Sequence, residues 1–313
     1  MGQRPSPMVA SDSQEENIIL PKDLTKLEEA AFWRKRGSIN KTKPWLPPFH
    51  HTTYYYTIMS EYNFASCLIQ KNMATIQVST YCYLKNPAEF HAQNKSIHSV
   101  WWGDSLCVGY RARQQMNGTQ FANLLSKGTK FFAVIRDPFD RFVSGYVDKC
   151  FNELDFDFLN ESERCFGCFD DLRCFLDAVY RLLVDYQAGK IAKLTRMAEY
   201  YVTHFAPQTW YCDFEHHKND YTFIVYHGGV NGTEQTAAEF DQMYASSNVP
   251  KEQRDYIRSE MLYGTTLHST RGSLVVDTLR HRVRNDPYVS EMLMRMYYYD
   301  FVEFGFNNSS TKA

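Results

Sequence analysis

Short apolar runs alternate with helix-type patterns along most of the chain beyond residue 60. Three of these runs have the length and composition of buried strands, and they cover residues 64–69, 131–135 and 221–226. A helix-compatible stretch, residues 75–84, follows the first run. Strands that alternate with helices are typical of a parallel sheet with crossover helices. The pattern therefore predicts an α/β fold, a P-loop-like arrangement in which helices flank a central parallel sheet.

Two further segments carry clear helical signals. Within residues 171–186, apolar residues recur at the i, i+3, i+4, i+7 spacing of an amphipathic helix. A C-terminal helix is expected to begin with Asp286 as its N-cap and Pro287 in its first turn, and to continue to Phe301. We interpret the apolar stripes of both helices as core packing and not as ligand sites.

Residues 1–59 form a polar segment with scattered prolines and charges, which we interpret as a tail or stem. A weakly helical run lies at residues 27–35, and three prolines mark the boundary: Pro44, Pro47 and Pro48. Residues 60–313 are predicted to form the folded domain. No stretch approaches the roughly 18 apolar residues that cross a bilayer. Membrane association is therefore expected only through a segment outside this sequence.

Composition restricts the class of partner. Hydrophobic residues make up 44% and aromatic residues 16% of the chain, which is typical of a globular protein. The formal net charge of -2 excludes a globally basic nucleic-acid-binding protein. An anionic ligand must therefore be held by a local cluster of cations.

Cysteine usage indicates an oxidising compartment. The chain has 8 cysteines, and several lie in one short segment: Cys150, Cys165, Cys168 and Cys174. This crowding favours disulfides. The spacing of Cys165 and Cys168 also permits a zinc site, with further candidate ligands at Cys212, His216 and His217. Unpaired thiols are the third interpretation.

Glycosylation acceptors support the same compartment. Asn-x-Ser/Thr triplets are dense along the chain, and they begin at Asn40, Asn94, Asn117, Asn160, Asn231, Asn307 and Asn308. Together with the cysteines, they predict passage through the secretory pathway.

The first candidate chemistry follows the second apolar run. A charged residue, Arg136, ends this strand, Asp137 can cap the next helix, and Pro138 fits its first turn. Ligands in open α/β sheets bind outside the carboxyl ends of the strands, where helix N-termini favour phosphate. Arg136 and Ser144 could then hold one anion between a guanidinium and a hydroxyl. The alternative is that Arg136 pairs with Asp137 or Asp140 and only fixes the loop.

The second candidate follows the first apolar run. Lys71 precedes Thr75 by four residues, and Asn72, Met73 and Ala74 form the loop between them. A lysine and a threonine at this spacing can converge with helix N-terminal amides on a phosphate, as in a P-loop. The glycines and the Gly-Lys-Ser/Thr order of a true P-loop are absent, which disfavours a nucleotide kinase or NTPase.

Together, the two segments resemble the paired motifs of sulfotransferases that use 3′-phosphoadenosine 5′-phosphosulfate as the donor. The string Arg-Asp-Pro-x-x-Arg-x-x-Ser-x-Tyr, from Arg136 to Tyr146, is similar to that of carbohydrate sulfotransferases. Further matches are His204-Phe205-Ala206-Pro207-Gln208, His268-Ser269-Thr270-Arg271-Gly272 and the ending at 298–306. The resemblance covers roughly residues 60 to 307 and points to a divergent, nematode-type member of the chondroitin 4-O-sulfotransferase branch.

The resemblance implies roles for the first loop. Lys71 and Thr75 would contact the 5′-phosphosulfate of the donor, and Asn72, Met73 and Ala74 would line it. Asn72 and Ala74 depart from the small hydroxylated residues that relatives often have there. This departure raises the alternative of a non-catalytic relative that binds glycan or nucleotide.

For the second loop, the resemblance makes Arg136 and Ser144 the contacts of the 3′-phosphate. Arg271 would meet either that phosphate or an acidic sugar. Sulfuryl transfer requires no metal, but the acceptor hydroxyl needs a base. Histidine suits this role because its pKa lies near neutrality. His204 is the first candidate and His268 the second, although either could instead be a structural, hydrogen-bonded histidine.

The resemblance also implies the acceptor and the location. The expected acceptor is a glycan, specifically a glycosaminoglycan such as chondroitin sulfated at O-4 of N-acetylgalactosamine, and the expected location is the Golgi lumen. Several basic residues could bind an anionic polysaccharide, although most such residues are simply solvated: Arg111, Arg113, Arg280, Arg282 and Arg284.

Overall fold

A computed structural model of the chain describes residues 44–101, 103–152, 159–160, 162–264 and 274–306. These ranges contain a sheet with the strand order β1-β2-β3-β4. Its strands are β1 (Tyr55–Met59), β2 (Phe64–Leu68), β3 (Lys130–Arg136) and β4 (Tyr221–Tyr226). Strands β2, β3 and β4 are parallel, and β1 pairs antiparallel with β2 at the edge. The predicted α/β fold with a central parallel sheet is confirmed, with an antiparallel edge strand that the sequence analysis did not predict.

The edge strand β1 begins ahead of residue 60, where the sequence analysis places the start of the domain. It joins β2 through a 3₁₀ turn, Ser60–Tyr62, and Asn63 adopts a left-handed conformation with φ of 51°. The apolar runs of β2 and β3 are buried nearly throughout. Such continuous burial is typical of strands that are covered on both faces of a sheet.

Helices flank the sheet on both sides. In chain order they are α1 (Ala74–Lys85), α2 (Pro87–Ala92), α3 (Ser105–Gly109), α4 (Gly118–Ser126), α5 (Pro138–Val147), α6 (Leu172–Gln187), α7 (Arg196–Phe205), α8 (Phe214–His217), α9 (Gly229–Ser246), α10 (Lys251–Tyr263), α11 (Leu274–Asn285) and α12 (Pro287–Phe304). A π-helical turn, Asp148–Asn152, continues α5.

The helix boundaries agree with the capping signals in the sequence. The side chain of Asp137 accepts a hydrogen bond from the amide of Asp140 and caps α5. The side chain of Asp286 likewise caps α12, which continues to Phe304, beyond the predicted end at Phe301. The amphipathic pattern over 171–186 corresponds to α6.

The core has two halves, one on each face of the sheet. Alternate residues of β3 contribute to different halves, because successive side chains of a strand point to opposite faces. Phe131 and Ala133 pack with α5, α6, α7 and α12. Phe132 and Val134 pack with α1, α9 and α10. The sheet is thus enclosed between two helical layers, and its carboxyl edge is the place where the loops of interest meet.

Every cysteine of the chain forms a disulfide. The pairs are Cys67–Cys212, Cys82–Cys107, Cys150–Cys165 and Cys168–Cys174. Because the thiols are consumed in these bonds, the zinc interpretation of Cys165 and Cys168 is wrong. The disulfide interpretation is confirmed, and it fits an oxidising compartment.

We expect the disulfide Cys67–Cys212 to contribute more to the free energy of unfolding than the disulfide Cys168–Cys174. Replacing both Cys67 and Cys212 by alanine should lower the free energy of unfolding by about 5 kcal/mol, because this disulfide links residues 145 positions apart in sequence. Removing Cys168–Cys174, whose separation is 6, should cost about 2 kcal/mol. Urea unfolding of the two double variants measures both values. Equal losses would contradict the loop-closure explanation.

Several predicted features lie outside the described residues. These are the weakly helical run at 27–35, the acceptor triplets at Asn40, Asn307 and Asn308, and the segment with His268 and Arg271. Among the described residues, no helix combines the length and the apolar composition needed to cross a membrane.

Candidate active site

The two candidate loops meet at the carboxyl edge of the sheet. Strands β2 and β3 are parallel neighbours, with Cys67 opposite Ala133, so the loop after β2 and the end of β3 lie side by side. Nη1 of Arg136 donates a hydrogen bond to the backbone oxygen of Lys71 over 3.1 Å. The structure therefore brings together the lysine and the arginine that the sequence analysis selected from separate segments.

The loop before α1 is tightly wound. Lys71 and Met73 have φ angles of 69° and 59°, in the left-handed region that side chains other than glycine rarely adopt. Each such residue costs on the order of 1 kcal/mol or more, and strain of this kind is concentrated at functional sites. Helix α1 begins at Ala74 without a side-chain cap. Its first amides, next to Thr75, are therefore suited to hold an anion.

The side chain of Asn72 holds this loop from the inside. Its amide nitrogen donates to the backbone oxygen of Val134 over 2.8 Å and to Oε1 of Gln208 over 2.6 Å. The backbone oxygen of Asn72 accepts a hydrogen bond from Gln77 over 3.0 Å. The side chain is committed to the interior, and the backbone amide of Asn72 donates to the backbone oxygen of Ile69 over 3.2 Å. A bound donor would therefore have to replace one of these bonds to contact Asn72.

Gln208 links both loops to the C-terminal helix. Its Oε1 also accepts the backbone amide of Arg136 over 2.9 Å, and its Nε2 donates to the backbone oxygen of Arg136 over 2.9 Å. The carboxylate of Asp300 in α12 accepts the amides of Gln208 and Thr209 at 2.8 and 3.0 Å. Gln208 and Asp300 are both fully buried. The sequence analysis matched the segment of Gln208 but did not assign it a role.

Arg141 fixes the backbone just ahead of Lys71. It is buried, and its Nε donates to the backbone oxygen of Gln70 over 3.0 Å. Its Nη1 donates to the backbone oxygen of Ala206 at the end of α7 over 2.7 Å. Arg141 therefore ties helices α5 and α7 to the start of the loop and stabilises the position of Lys71.

The ammonium group of Lys71 faces a buried carboxylate. Nζ of Lys71 lies 2.8 Å from Oδ2 of Asp148, and Nζ of Lys149 lies 2.9 Å from the same oxygen. Burial lowers the pKa of Lys71 to about 8, with Asp148 opposing the shift and Lys149 adding to it. The sequence analysis missed this pair. The sequence does contain a signal for Asp148, because this residue lies one helical turn after the candidate site residue Ser144 and so falls on the same face of the helix.

Arg136 is placed against an aromatic ring and not against the acids of its own loop. Its Cζ lies 4.4 Å from the ring centroid of Tyr226. Its Nε is buried and has no hydrogen-bond partner among the described residues. Burial also lowers the pKa of Arg136. A buried guanidinium nitrogen without a partner is suited to an incoming anion.

The acids beside Arg136 pair with helix α11. Asp140 lies 3.4 Å from Arg280 and also 3.4 Å from Arg284, which is 3.5 Å from Asp137. Within the described residues, Arg136 forms no ion pair with Asp137 or Asp140, so the alternative interpretation of Arg136 lacks the pairing on which it depends. Two of the basic residues considered for polysaccharide binding instead stabilise this loop. Ser144 is buried in α5, two turns beyond the cap.

His204 lies in the last turn of α7, where Lys149 and Lys71 act on its charge. Its Nδ1 lies 2.6 Å from the backbone oxygen of Tyr200, and because a carbonyl only accepts, Nδ1 carries the proton. Burial, reinforced by Lys149 and Lys71, keeps the pKa of His204 well below 6.5. The ring is therefore neutral near pH 7, and Nε2 retains its lone pair. The ring of Tyr200 lies close to both His204 and Lys149. It is 4.7 Å from the ring of His204 and 5.2 Å from Nζ of Lys149.

The described residues hold no group of three or more histidine, cysteine, aspartate or glutamate side chains arranged for a metal ion. The site combines several cations, the buried carboxylate of Asp148 and one neutral histidine around two loop ends. Of the predicted site residues, Lys71, Arg136 and His204 are close to one another or linked through shared neighbours. His268 and Arg271 lie outside the described residues.

The chain is similar to several known proteins. Residues 54–307 match the model of a family described as the sulfotransferase family. The carbohydrate sulfotransferase chst-1 of Caenorhabditis elegans is 30% identical over 269 residues, which cover 85% of this chain and 80% of that protein. An uncharacterized protein of the same nematode is 30% identical over 271 residues, covering 85% and 73%. No solved structure matches the chain significantly.

Proposed function

Because this chain belongs to the sulfotransferase family, we propose that it transfers a sulfuryl group from 3′-phosphoadenosine 5′-phosphosulfate to a hydroxyl group of a carbohydrate. The observation that carries this proposal is the meeting of Lys71 and Arg136 at one edge of the sheet. The name of chst-1, a carbohydrate sulfotransferase, supports a carbohydrate as the acceptor.

The residues of the two loops fit a donor that is anionic at both ends. Lys71, Thr75 and the backbone of residues 72–74 would hold the phosphosulfate end at the uncapped start of α1. Arg136, whose Nε has no partner among the residues that the structure describes, and Ser144 would hold the 3′-phosphate. Arg271 is proposed as a further contact of that phosphate or of an acidic sugar.

Lys71 is proposed to stabilise the transition state. The donor supplies an activated sulfuryl group, and adenosine 3′,5′-bisphosphate is the leaving product. Sulfuryl transfer resembles phosphoryl transfer in needing in-line positioning and neutralisation of charge on the leaving oxygen. The ammonium of Lys71 meets the second need while it is protonated, which holds at pH values below its pKa of about 8.

His204 is proposed as the base. As the oxygen of the acceptor hydroxyl forms its bond to sulfur, the proton of that hydroxyl moves to Nε2 of His204. The hydrogen bond from Nδ1 to Tyr200 fixes the tautomer that leaves Nε2 available. His268 remains the second candidate for this role.

Replacing His204 by asparagine is expected to lower kcat by about 100-fold, the usual contribution of a general base. Affinity for adenosine 3′,5′-bisphosphate should stay unchanged, because the histidine acts on the acceptor. Steady-state transfer assays and calorimetry measure the two quantities. His217→Asn is a matched control, since His217 is partly buried and lies 3.0 Å from Asp220. A kcat within about 3-fold of the wild-type value would contradict the assignment.

The proposed acceptor is a glycosaminoglycan, and the preferred reaction is sulfation of chondroitin at O-4 of N-acetylgalactosamine. The proposed location is the Golgi lumen, which the four disulfides support. Any membrane association would use a segment outside this sequence. The side chain of Asn72 is committed to the interior, so its departure from the family pattern does not favour the non-catalytic alternative.

Transfer of radiolabelled sulfate to desulfated chondroitin, dermatan and heparan tests the acceptor. Disaccharide analysis of the product then locates the label. We expect label on chondroitin at O-4 of N-acetylgalactosamine. Label on heparan alone would contradict the acceptor but keep the reaction, and donor binding without label on any polymer would favour the non-catalytic alternative.

A further inference from the structure

Lys149 shares the carboxylate that holds Lys71. Its Nζ lies 2.9 Å from Oδ2 of Asp148, and Nζ of Lys71 lies 2.8 Å from that same oxygen. Because both nitrogens are within hydrogen-bond distance of one oxygen, they lie within about 6 Å of each other. The two lysines come from different segments, one from the loop after β2 and the other from the turn after α5. Their meeting is therefore a product of the tertiary fold.

The surroundings of Lys149 are those of a constrained interior group. Its side chain is 8% exposed, and that of Asp148 is 1% exposed. The pair opens the π-helical turn Asp148–Asn152, and single π turns in helices are frequent at functional sites. The ring of Tyr200, 5.2 Å from Nζ, restricts the ammonium from the side of α7.

We propose that Lys149 is a second cation for the reacting sulfuryl group, placed beside Lys71 by Asp148. This inference rests on the proposed function. An ammonium has three donors, so the bond to Asp148 does not by itself prevent either lysine from contacting a bound anion. The charge of a phosphosulfate is spread over several oxygens, and two cations from different directions stabilise such a group better than one. Asp148 keeps the two like charges together when no anion is bound.

Lys149 also affects the pKa of Lys71 in the protein without nucleotide. Among the described residues, the charged groups that face Lys71 are Asp148 and Lys149 from the turn after α5, and Arg136 from β3. His204 approaches from α7 as a neutral ring. Lys149 lowers the pKa of Lys71, so removing Lys149 should raise that pKa above about 8. A residue that only filled space would not move the protonation of Lys71.

Calorimetry with Lys149→Met, which keeps most of the aliphatic side chain, tests the contact. The phosphosulfate donor carries the sulfuryl group, whereas adenosine 3′,5′-bisphosphate lacks it. We expect the variant to bind the donor about 10-fold or more weakly, the effect of losing one hydrogen bond to a charged group. Affinity for the bisphosphate should change by less than about 3-fold, since that contact is absent.

Labelling of Lys71 by an amine-reactive reagent, followed by mass spectrometry across a pH series, tests the electrostatic effect without nucleotide. The midpoint for Lys71 should lie at higher pH in Lys149→Met than in the wild-type chain. Lys218→Met is the matched control, because Lys218 also pairs with an acid, Glu303 at 2.8 Å, and lies 5.8 Å from a ring, that of Phe304. This control should change neither the midpoint nor the nucleotide affinities.

Equal losses of affinity for donor and bisphosphate in Lys149→Met, with an unchanged midpoint for Lys71, would overturn the inference. Failure of the proposed function would appear separately, in the wild-type chain, as donor binding without transfer to any glycan.

Discussion

Replacement of Lys71 by alanine is expected to lower kcat for sulfuryl transfer by about 100-fold or more, the usual effect of removing one donor that stabilises transition-state charge. Single-turnover assays at saturating donor separate this effect from binding. Asp148, the partner of Lys71, keeps its contact with Lys149 in the variant, which limits structural damage. Lys71→Arg is the control, because it keeps the charge. A loss in kcat of less than about 5-fold in Lys71→Ala would contradict the assigned role.

The same lysine predicts a pH dependence. The pKa of Lys71 in the protein without ligand is lowered to about 8, and its cationic form is the active one. The pH profile of kcat/KM reports the ionisation of the free enzyme. At pH values above the pKa of His204, the kcat/KM for the donor should therefore be constant until it falls as pH rises through about 8. In Lys71→Arg the fall should move to much higher pH, because a guanidinium stays protonated.

Replacement of Arg136 by alanine is expected to weaken the binding of adenosine 3′,5′-bisphosphate by about 30-fold or more. The reason is the loss of a buried guanidinium whose Nε has no partner among the described residues. Affinity for adenosine 5′-phosphate, which lacks the 3′-phosphate, should change much less. Calorimetry with both nucleotides measures the difference.

A matched control for this variant is Arg173→Ala. Arg173 also lies over a ring, that of Tyr288 at 5.3 Å, and it pairs with Asp286 at the surface. The Arg173→Ala variant should bind both nucleotides with the affinity of the wild-type chain. If Arg136→Ala lost affinity equally for the two nucleotides, Arg136 would not be the 3′-phosphate contact, and a general role in shaping the loop would explain the loss.

The parts of the site that could be predicted from sequence are those encoded by local patterns. The apolar runs that end at the loop of Lys71 and at Arg136 predict two strands, and parallel strands bring their carboxyl ends to one edge. The cap formed by Asp137 can likewise be predicted locally, because an aspartate directly before a proline is typical of a helix start. These features need no knowledge of how distant segments pack.

The parts that could not be predicted depend on contacts between distant segments. Gln208 bonds to Asn72, 136 positions away in sequence, and Lys71 bonds to Asp148, 77 positions away. A composition or spacing argument carries no information on such pairs. Asn72 shows the consequence, since the sequence shows only a departure from the family pattern, whereas the fold gives its side chain an interior hydrogen bond.

The edge strand and the disulfides show the same limit. Strand β1, Tyr55–Met59, pairs along its length with β2, and its other edge carries a bridge from Tyr56 to Gln114. Its mixed polar and aromatic residues lack the uninterrupted apolar run of a central strand. Crowding of cysteines predicts that disulfides form. It does not predict that Cys67, on a central strand, pairs with Cys212 beside the segment that carries Gln208.

The central claim is that the loops of Lys71 and Arg136 form one donor site for sulfuryl transfer. Its most direct test follows radiolabelled sulfate from 3′-phosphoadenosine 5′-phosphosulfate to a glycan with the wild-type chain, Lys71→Ala and Arg136→Ala. We expect the wild-type chain to label the glycan. The label should fall by about 100-fold or more with Lys71→Ala. With Arg136→Ala it should be strongly reduced when the donor is limiting. Transfer that persisted undiminished in both variants would contradict the claim.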